Sequence, residues 1–149
     1  MVKRKYLKNL LILLLGAINF LLIYCPSRPP KTFVRTMEPT WASIEIRKEL
    51  SYEDAWNLIV DALAKKFDLE VISKEGGYVR TAWLYTWTGR VDQNYRVRAI
   101  IKFTPDRKKV EIKTEAEYGG PGKWVLGWDE SLLTTLKSDI MGLVGRATR

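Results

Sequence analysis

The sequence predicts an α+β domain, an antiparallel sheet with two helices packed on one face, in the order β-α-β-β-β-β-α. Three observations predict it. Two segments, beginning at Ser51 and near Asp129, carry apolar residues at spacings of three and four. Residues 95–118 alternate apolar and charged side chains about a central turn. A glycine pair, Gly76-Gly77, separates two further extended runs.

The elements follow in order. Ile44 and Ile46 alternate with Glu45 and Arg47, the pattern of a short half-buried strand. Ser51 opens a helix with Asp54 three residues on, a variant of the capping box that satisfies the first free amides. Its stripe runs through Tyr52, Ala55, Trp56, Ile59, Val60, Leu63 and Phe67, a core-packing pattern. Residues 69–73 form the next strand, Gly76-Gly77 supply the positive φ of a tight turn, and a long strand is expected over residues 78–88. The last helix, from near Asp129, shows Leu132, Leu133, Leu136, Ile140, Leu143 and Val144 on one stripe.

The hairpin between these elements is legible to the residue. Residues 105–108 are turn chemistry. Pairing Thr104 with Lys109 sets Lys102 opposite Glu111, Arg98 opposite Glu115 and Arg96 opposite Glu117. The same register sets Phe103 on Val110, Ile101 on Ile112, Val97 on Ala116 and Tyr95 on Tyr118. A slip of one residue would invert both faces, so the register is strongly specified.

Charge and composition narrow the function. The chain has 149 residues, a net charge of +8, no histidine and one cysteine. These counts argue against imidazole metal or haem sites, disulfide frameworks and histidine-based acid–base chemistry. Four of the positive charges (Lys3, Arg4, Lys5 and Lys8) precede an apolar run at residues 10–24, leaving only +4 for the remainder. Nucleic-acid binding thereby loses most of its compositional support.

The N-terminus reads as an export signal. The apolar run would span ~22 Å as a helix, short of the ~30 Å hydrocarbon core, which fits a signal h-region. It ends at Cys25, and Leu22-Ile23-Tyr24-Cys25 resembles the lipobox of bacterial lipoproteins, with Tyr24 where that motif carries a small residue. The resemblance implies cleavage before Cys25 and acylation of its thiol and new amine. The organisation is then a signal peptide at 1–24, a lipidated cysteine with a proline-rich linker at 25–40, and the α+β domain at 41–149.

The segments Ser51-Tyr52-Glu53-Asp54-Ala55-Trp56 and Gly77-Tyr78-Val79-Arg80-Thr81-Ala82-Trp83 resemble envelope lipoproteins related to BamC, the accessory lipoprotein of outer-membrane β-barrel assembly. The resemblance covers roughly residues 43–147 and one domain, where BamC itself has two. It implies a helix-grip arrangement and no catalytic residues.

The residues agree with a non-enzymatic reading. Ser51 is a cap without a base, and Asp129 and Glu130 sit where acidic groups favour a helix N-terminus. No metal or other cofactor is expected. Interest falls on the aromatics: Val79, Thr81, Trp83, Tyr85 and Trp87 are expected on one face of the long strand, and Trp124 and Trp128 lie in a glycine-rich loop. Trp124, Tyr85 and Trp87 are the candidate partner-binding residues, with Trp124 solvent-accessible and Trp128 against the last helix. For Trp83 and Trp87 the ordinary alternative is a place in the core.

The sequence therefore reads as a membrane-tethered lipoprotein of the bacterial cell envelope. Its domain lies outside the cytoplasm and binds a protein partner rather than nucleic acid or metal. The alternatives are a single-span signal-anchored membrane protein, or a nucleic-acid-binding sheet that stacks bases beside Arg96 and Arg98.

Overall fold

A computed structural model describes residues 28–146. The signal segment and Cys25 lie outside the described residues. In chain order come β1 (Phe33–Arg35), β2 (Ala42–Glu45), α1 (Tyr52–Ala64), β3 (Leu69–Ser73), β4 (Tyr78–Thr81), β5 (Tyr95–Phe103), β6 (Lys109–Tyr118), β7 (Val125–Asp129) and α2 (Glu130–Val144). One antiparallel sheet has the order β1-β7-β6-β5-β4-β3, with β2 also paired to β6. Both helices pack on one face of it, as the alternating patterns require. The arrangement is broadly consistent with a helix-grip-like fold.

The β5–β6 hairpin has the expected register throughout, from Tyr95 on Tyr118 to Phe103 on Val110. Its inner residues Val97, Ile101, Phe103, Val110 and Ile112 are fully buried against Trp56, Ile59 and Leu63 of α1 and Leu132, Leu136 and Ile140 of α2. Ser51 caps α1 as expected, its hydroxyl oxygen accepting from the Asp54 amide at 3.1 Å. α2 starts one residue after its own cap, Asp129.

Two short strands add to the expected order. β1 forms inside the stretch read as linker, pairing Val34 with Trp128 on the outer edge of β7. β7 forms inside the glycine-rich loop, pairing Gly127 with Ala116. Gly127 is needed there, because a Cβ would lie 2.3 Å from the Val34 carbonyl oxygen and 2.5 Å from the Phe33 ring. The sheet thus begins at Phe33, ahead of the boundary expected at residue 41.

The long strand expected over residues 78–88 is shorter. β4 ends at Thr81, and the chain rejoins β5 only through a bridge from Leu84 to Val97. Val79 pairs with Ile101, so Leu84 would pair with Arg96 if the register continued, yet it pairs with Val97. One extra residue has entered β4, and a one-residue insertion exchanges the faces. The Thr81 hydroxyl oxygen accepts the Ala99 amide at 3.0 Å where the ladder is interrupted.

Candidate docking surface on the open sheet face

The inserted residue redistributes the aromatics. Val79 and Thr81 stay buried on the helix side, while Trp83 and Tyr85 turn to the opposite face. The expectation of five residues on one face is corrected by this bulge, and so is a core position for Trp83. Trp87 returns to the helix side, where it packs against the core and its indole Nε1 donates to Asp129 Oδ1 at 3.1 Å. Of the three candidate residues, Tyr85 and Trp124 are brought together and Trp87 is not.

They meet around Arg96. Its guanidinium lies 4.4 Å from the centre of the Trp83 ring and 4.3 Å from that of Trp124, between the two indoles. Arg98 also lies over the Trp83 ring, at 4.3 Å from its centre. The order Trp124, Arg96, Trp83, Arg98 is a ladder of alternating aromatic and cationic groups, each contact contributing ~0.5–2 kcal/mol. Arg96 Nη1 also donates to the Tyr85 hydroxyl oxygen at 3.0 Å.

Both arginines are closed on the glutamates opposite them, Arg96 Nε on Glu117 at 2.7 Å and Arg98 Nε on Glu115 at 2.7 Å. Burial pulls the Arg96 pKa down, but the bonds to Tyr85 and Glu117 outweigh it and raise the pKa above its ordinary value. Burial likewise opposes ionisation of Glu115, yet Lys113 and Arg98 hold its carboxyl below the usual range. Trp124 is half-buried by this ladder, so it is neither a free loop side chain nor part of the core. Trp128 alternates with the inward Gly127 and Asp129 along β7, which puts it on the outer face beside Val34, away from α2.

Next to the ladder the surface opens into a groove of about 220 Å³. β2 occupies the edge of β6 at residues 109–112 and β7 the same edge at residues 116–118. The connector from β1 to β2 crosses the interval between them. Its Met37 and Pro39 form one wall, and Trp83, Arg98 and Leu126 line the rest. Met37 is 81% exposed and Leu126 44%, large apolar side chains next to closed ion pairs. Trp41 extends the same surface, with Lys113 over its ring at 5.3 Å.

No single-sequence signal marked Met37 or Leu126, because their exposure depends on two strands that the sequence did not announce. The groove offers apolar contact and a charged rim, the composition of a protein-docking surface. No protein-family model matches the chain, and no curated protein is significantly similar to it. Among the described residues no helix is long and apolar enough to cross a membrane, and no cluster of three or more metal-ligating side chains occurs.

Proposed function

We propose that this protein is a non-enzymatic lipoprotein of the bacterial cell envelope, tethered through acylated Cys25, that presents a small domain to a protein partner. The observation that carries the partner-binding part is the groove on the open sheet face, where Met37 and Leu126 remain exposed beside the Trp–Arg ladder. The basic n-region, the short apolar run and the lone Cys25 support the tether. The helix-grip-like arrangement and the two short motifs support a relationship to BamC-like lipoproteins, and with it a role accessory to envelope or outer-membrane assembly.

The nucleic-acid alternative is less well supported. It needs Arg96 and Arg98 for phosphates and Tyr85 and Trp87 for bases. Yet the arginines are engaged with Glu117 and Glu115, Tyr85 accepts from Arg96, and Trp87 is bonded to Asp129 on the helix side. Two measurements test the proposal. Cells grown with a radiolabelled fatty acid should label the protein and lose the label in Cys25→Ala; equal labelling of both, or of neither, rejects the tether. A photocrosslinking residue at Met37 should then capture a discrete envelope protein that the same residue at Lys137 does not. Capture equal at both positions rejects the groove as the docking surface.

A further inference from the structure

A second concavity lies at the opposite end of the domain, and its charge sets it apart. It measures about 460 Å³ and is formed where the end of β2, the β5–β6 turn and Arg146, two residues past α2, converge. Three backbone bonds bring these segments together: Ile46 N to the Lys108 carbonyl at 2.9 Å, Arg47 N to that of Val144 at 2.9 Å, and Arg146 N to that of Glu45 at 2.9 Å. They gather Arg47, Lys48, Arg107, Lys108, Lys109 and Arg146 around a floor that includes the buried Ile46.

These six bases face only two acids, Glu45 and Asp106. Residues 28–146 contain 20 bases and 17 acids, so the rest of the described domain has 14 bases against 15 acids. The entire positive excess of the folded part is therefore concentrated in one concavity. Such localisation is the electrostatic footprint of an anion site, whereas charge spread over a surface serves solubility.

The two acids do not cancel it. Glu45 is shared between Lys109 at 3.7 Å and Arg146 at 4.0 Å, both long contacts. Asp106 Oδ1 is engaged locally, accepting from the Thr104 hydroxyl at 2.6 Å and the Lys108 amide at 3.1 Å. Lys48 enters no ion pair among the described residues, and Lys108 acts on Asp106 through its charge without an ion-pair contact. Two of the arginines are held in place beforehand. Arg47 Nη2 donates to the Leu143 carbonyl at 2.6 Å, and Arg107 stacks on the Tyr52 ring at 4.6 Å while donating to the Glu75 carbonyl. Fixed guanidinium forks beside exposed ammonium groups suit a phosphate, whose oxygens accept several donors at once.

We propose that this concavity binds a phosphate group carried by a small anionic ligand or by a lipid headgroup. The volume fits a ligand of that size, within the ~300–1,000 Å³ usual for small-molecule sites. Its position matters as well. The chain enters the sheet beside Asp129, at the start of α2, where Glu130 N donates to the Thr32 carbonyl. The concavity lies beyond the end of that helix, ~22 Å away along its axis. A domain held from the entry side would thus keep this end free to meet its ligand. The inference stands on charge and geometry alone and does not depend on acylation of Cys25.

The test uses the full chain in non-ionic detergent, with isothermal titration calorimetry against pyrophosphate and, separately, short-chain phosphatidylglycerol and phosphatidylcholine. Binding of pyrophosphate or phosphatidylglycerol, weakened at least tenfold in Lys48→Glu/Lys108→Glu and unchanged in Lys137→Glu, supports the site; reversing two charges beside the ligand is worth that much. Pyrophosphate alone identifies a soluble phosphate, and phosphatidylglycerol alone identifies a headgroup. Three results overturn the proposal: no heat with either anion, equal binding of phosphatidylcholine, or equal weakening by Lys137→Glu. Tighter binding of a single-stranded oligonucleotide than of pyrophosphate also overturns it. Matching melting curves for the variants exclude misfolding, since Lys48 and Lys108 are exposed.

Discussion

The Tyr95 hydroxyl donates to Asp129 Oδ2 at 2.6 Å, fastening the first residue of β5 to the cap of α2. Asp129 has no solvent exposure, and the same carboxylate accepts three further bonds. The Leu132 amide reaches Oδ1 at 2.8 Å as the helix cap, Trp87 Nε1 reaches Oδ1 at 3.1 Å, and the Thr32 hydroxyl reaches Oδ2 at 2.7 Å. The residue leading into β1, the 82–94 connection, β5 and α2 thus converge on one buried charge. Asp129→Ala is expected to cost ~3–5 kcal/mol, because it removes a cap and strands three donors. Asp129→Asn keeps the capping oxygen and should cost clearly less. Urea denaturation of the three proteins checks this, and a loss below ~1 kcal/mol for the alanine variant would show that the hub is dispensable.

Tyr95 gives the hub a pH dependence. Burial first, then the bond to Asp129 and its negative charge, raise the phenol pKa well above its ordinary value. A group whose folded pKa is raised contributes stability below its unfolded pKa and loses it as pH climbs toward the folded one. The contribution of the hydroxyl should be complete at neutral pH and decline above pH ~10. Tyr95→Phe is expected to cost ~1–3 kcal/mol at pH 7. The gap between it and the native protein should narrow in alkaline urea titrations, whereas a constant gap would contradict the linkage.

Glu115 works in the opposite direction. Its folded pKa is depressed by Lys113 and Arg98 despite burial. The stability it contributes is present above the ordinary carboxylate pKa of ~4.3 and lost as pH falls through the lower folded value. Glu115→Gln should cost ~1 kcal/mol at pH 7, the pair being partly solvent-screened, and nothing once both states are protonated. Thermal melts between pH 2.5 and pH 7 follow the convergence.

How much of this was readable beforehand depends on which forces act locally. The β5–β6 register was legible because Arg96, Arg98 and Lys102 on one strand and Glu117, Glu115 and Glu111 on the other agree with the apolar face. Two independent patterns then select one pairing. The cap at Ser51 was legible for a similar reason, since the signal sits within four residues of the helix, whereas Asp129 was legible as an acidic residue at a helix start and not as its cap. The bulge after Thr81 was not. Val79, Thr81, Trp83, Tyr85 and Trp87 alternate faultlessly, and only the tertiary match of Leu84 to Val97 reveals the inserted residue. β1 and β7 were hidden too, because three residues of Phe-Val-Arg cannot announce a strand without the edge they complete. The docking groove inherits that opacity from the strands that frame it.

The Trp–Arg ladder predicts a ranking of tryptophans. Trp83 contacts two guanidiniums and Trp124 one, and neither belongs to the buried core. Trp124→Ala should cost ~1 kcal/mol and Trp83→Ala about twice that, both below the ~3–5 kcal/mol of an emptied aromatic core position. Differential scanning calorimetry supplies the order. A core-sized loss for Trp124→Ala would mean that it seals the sheet, removing it from the partner surface.

Gly77 and Arg107 form the last pair whose coupling can be measured. Gly77 has φ +64°, a left-handed conformation that costs a side chain ~1–2 kcal/mol. A Cβ there would also lie 1.8 Å from Arg107 Nη1 and 3.0 Å from Phe103 Cβ. The guanidinium can move, whereas the Cβ of the buried Phe103 has little room to give. Gly77→Ala should therefore expel Arg107 from its place on Tyr52 and lose that contact in addition to the backbone penalty. Arg107→Ala loses the same contact without touching Gly77. In the double variant it is lost only once, so the total should fall short of the sum by ~0.5–1 kcal/mol. Full additivity would mean that Gly77 is required by its backbone alone. Sub-additivity would show that this glycine is also the floor on which an arginine of the basic concavity rests.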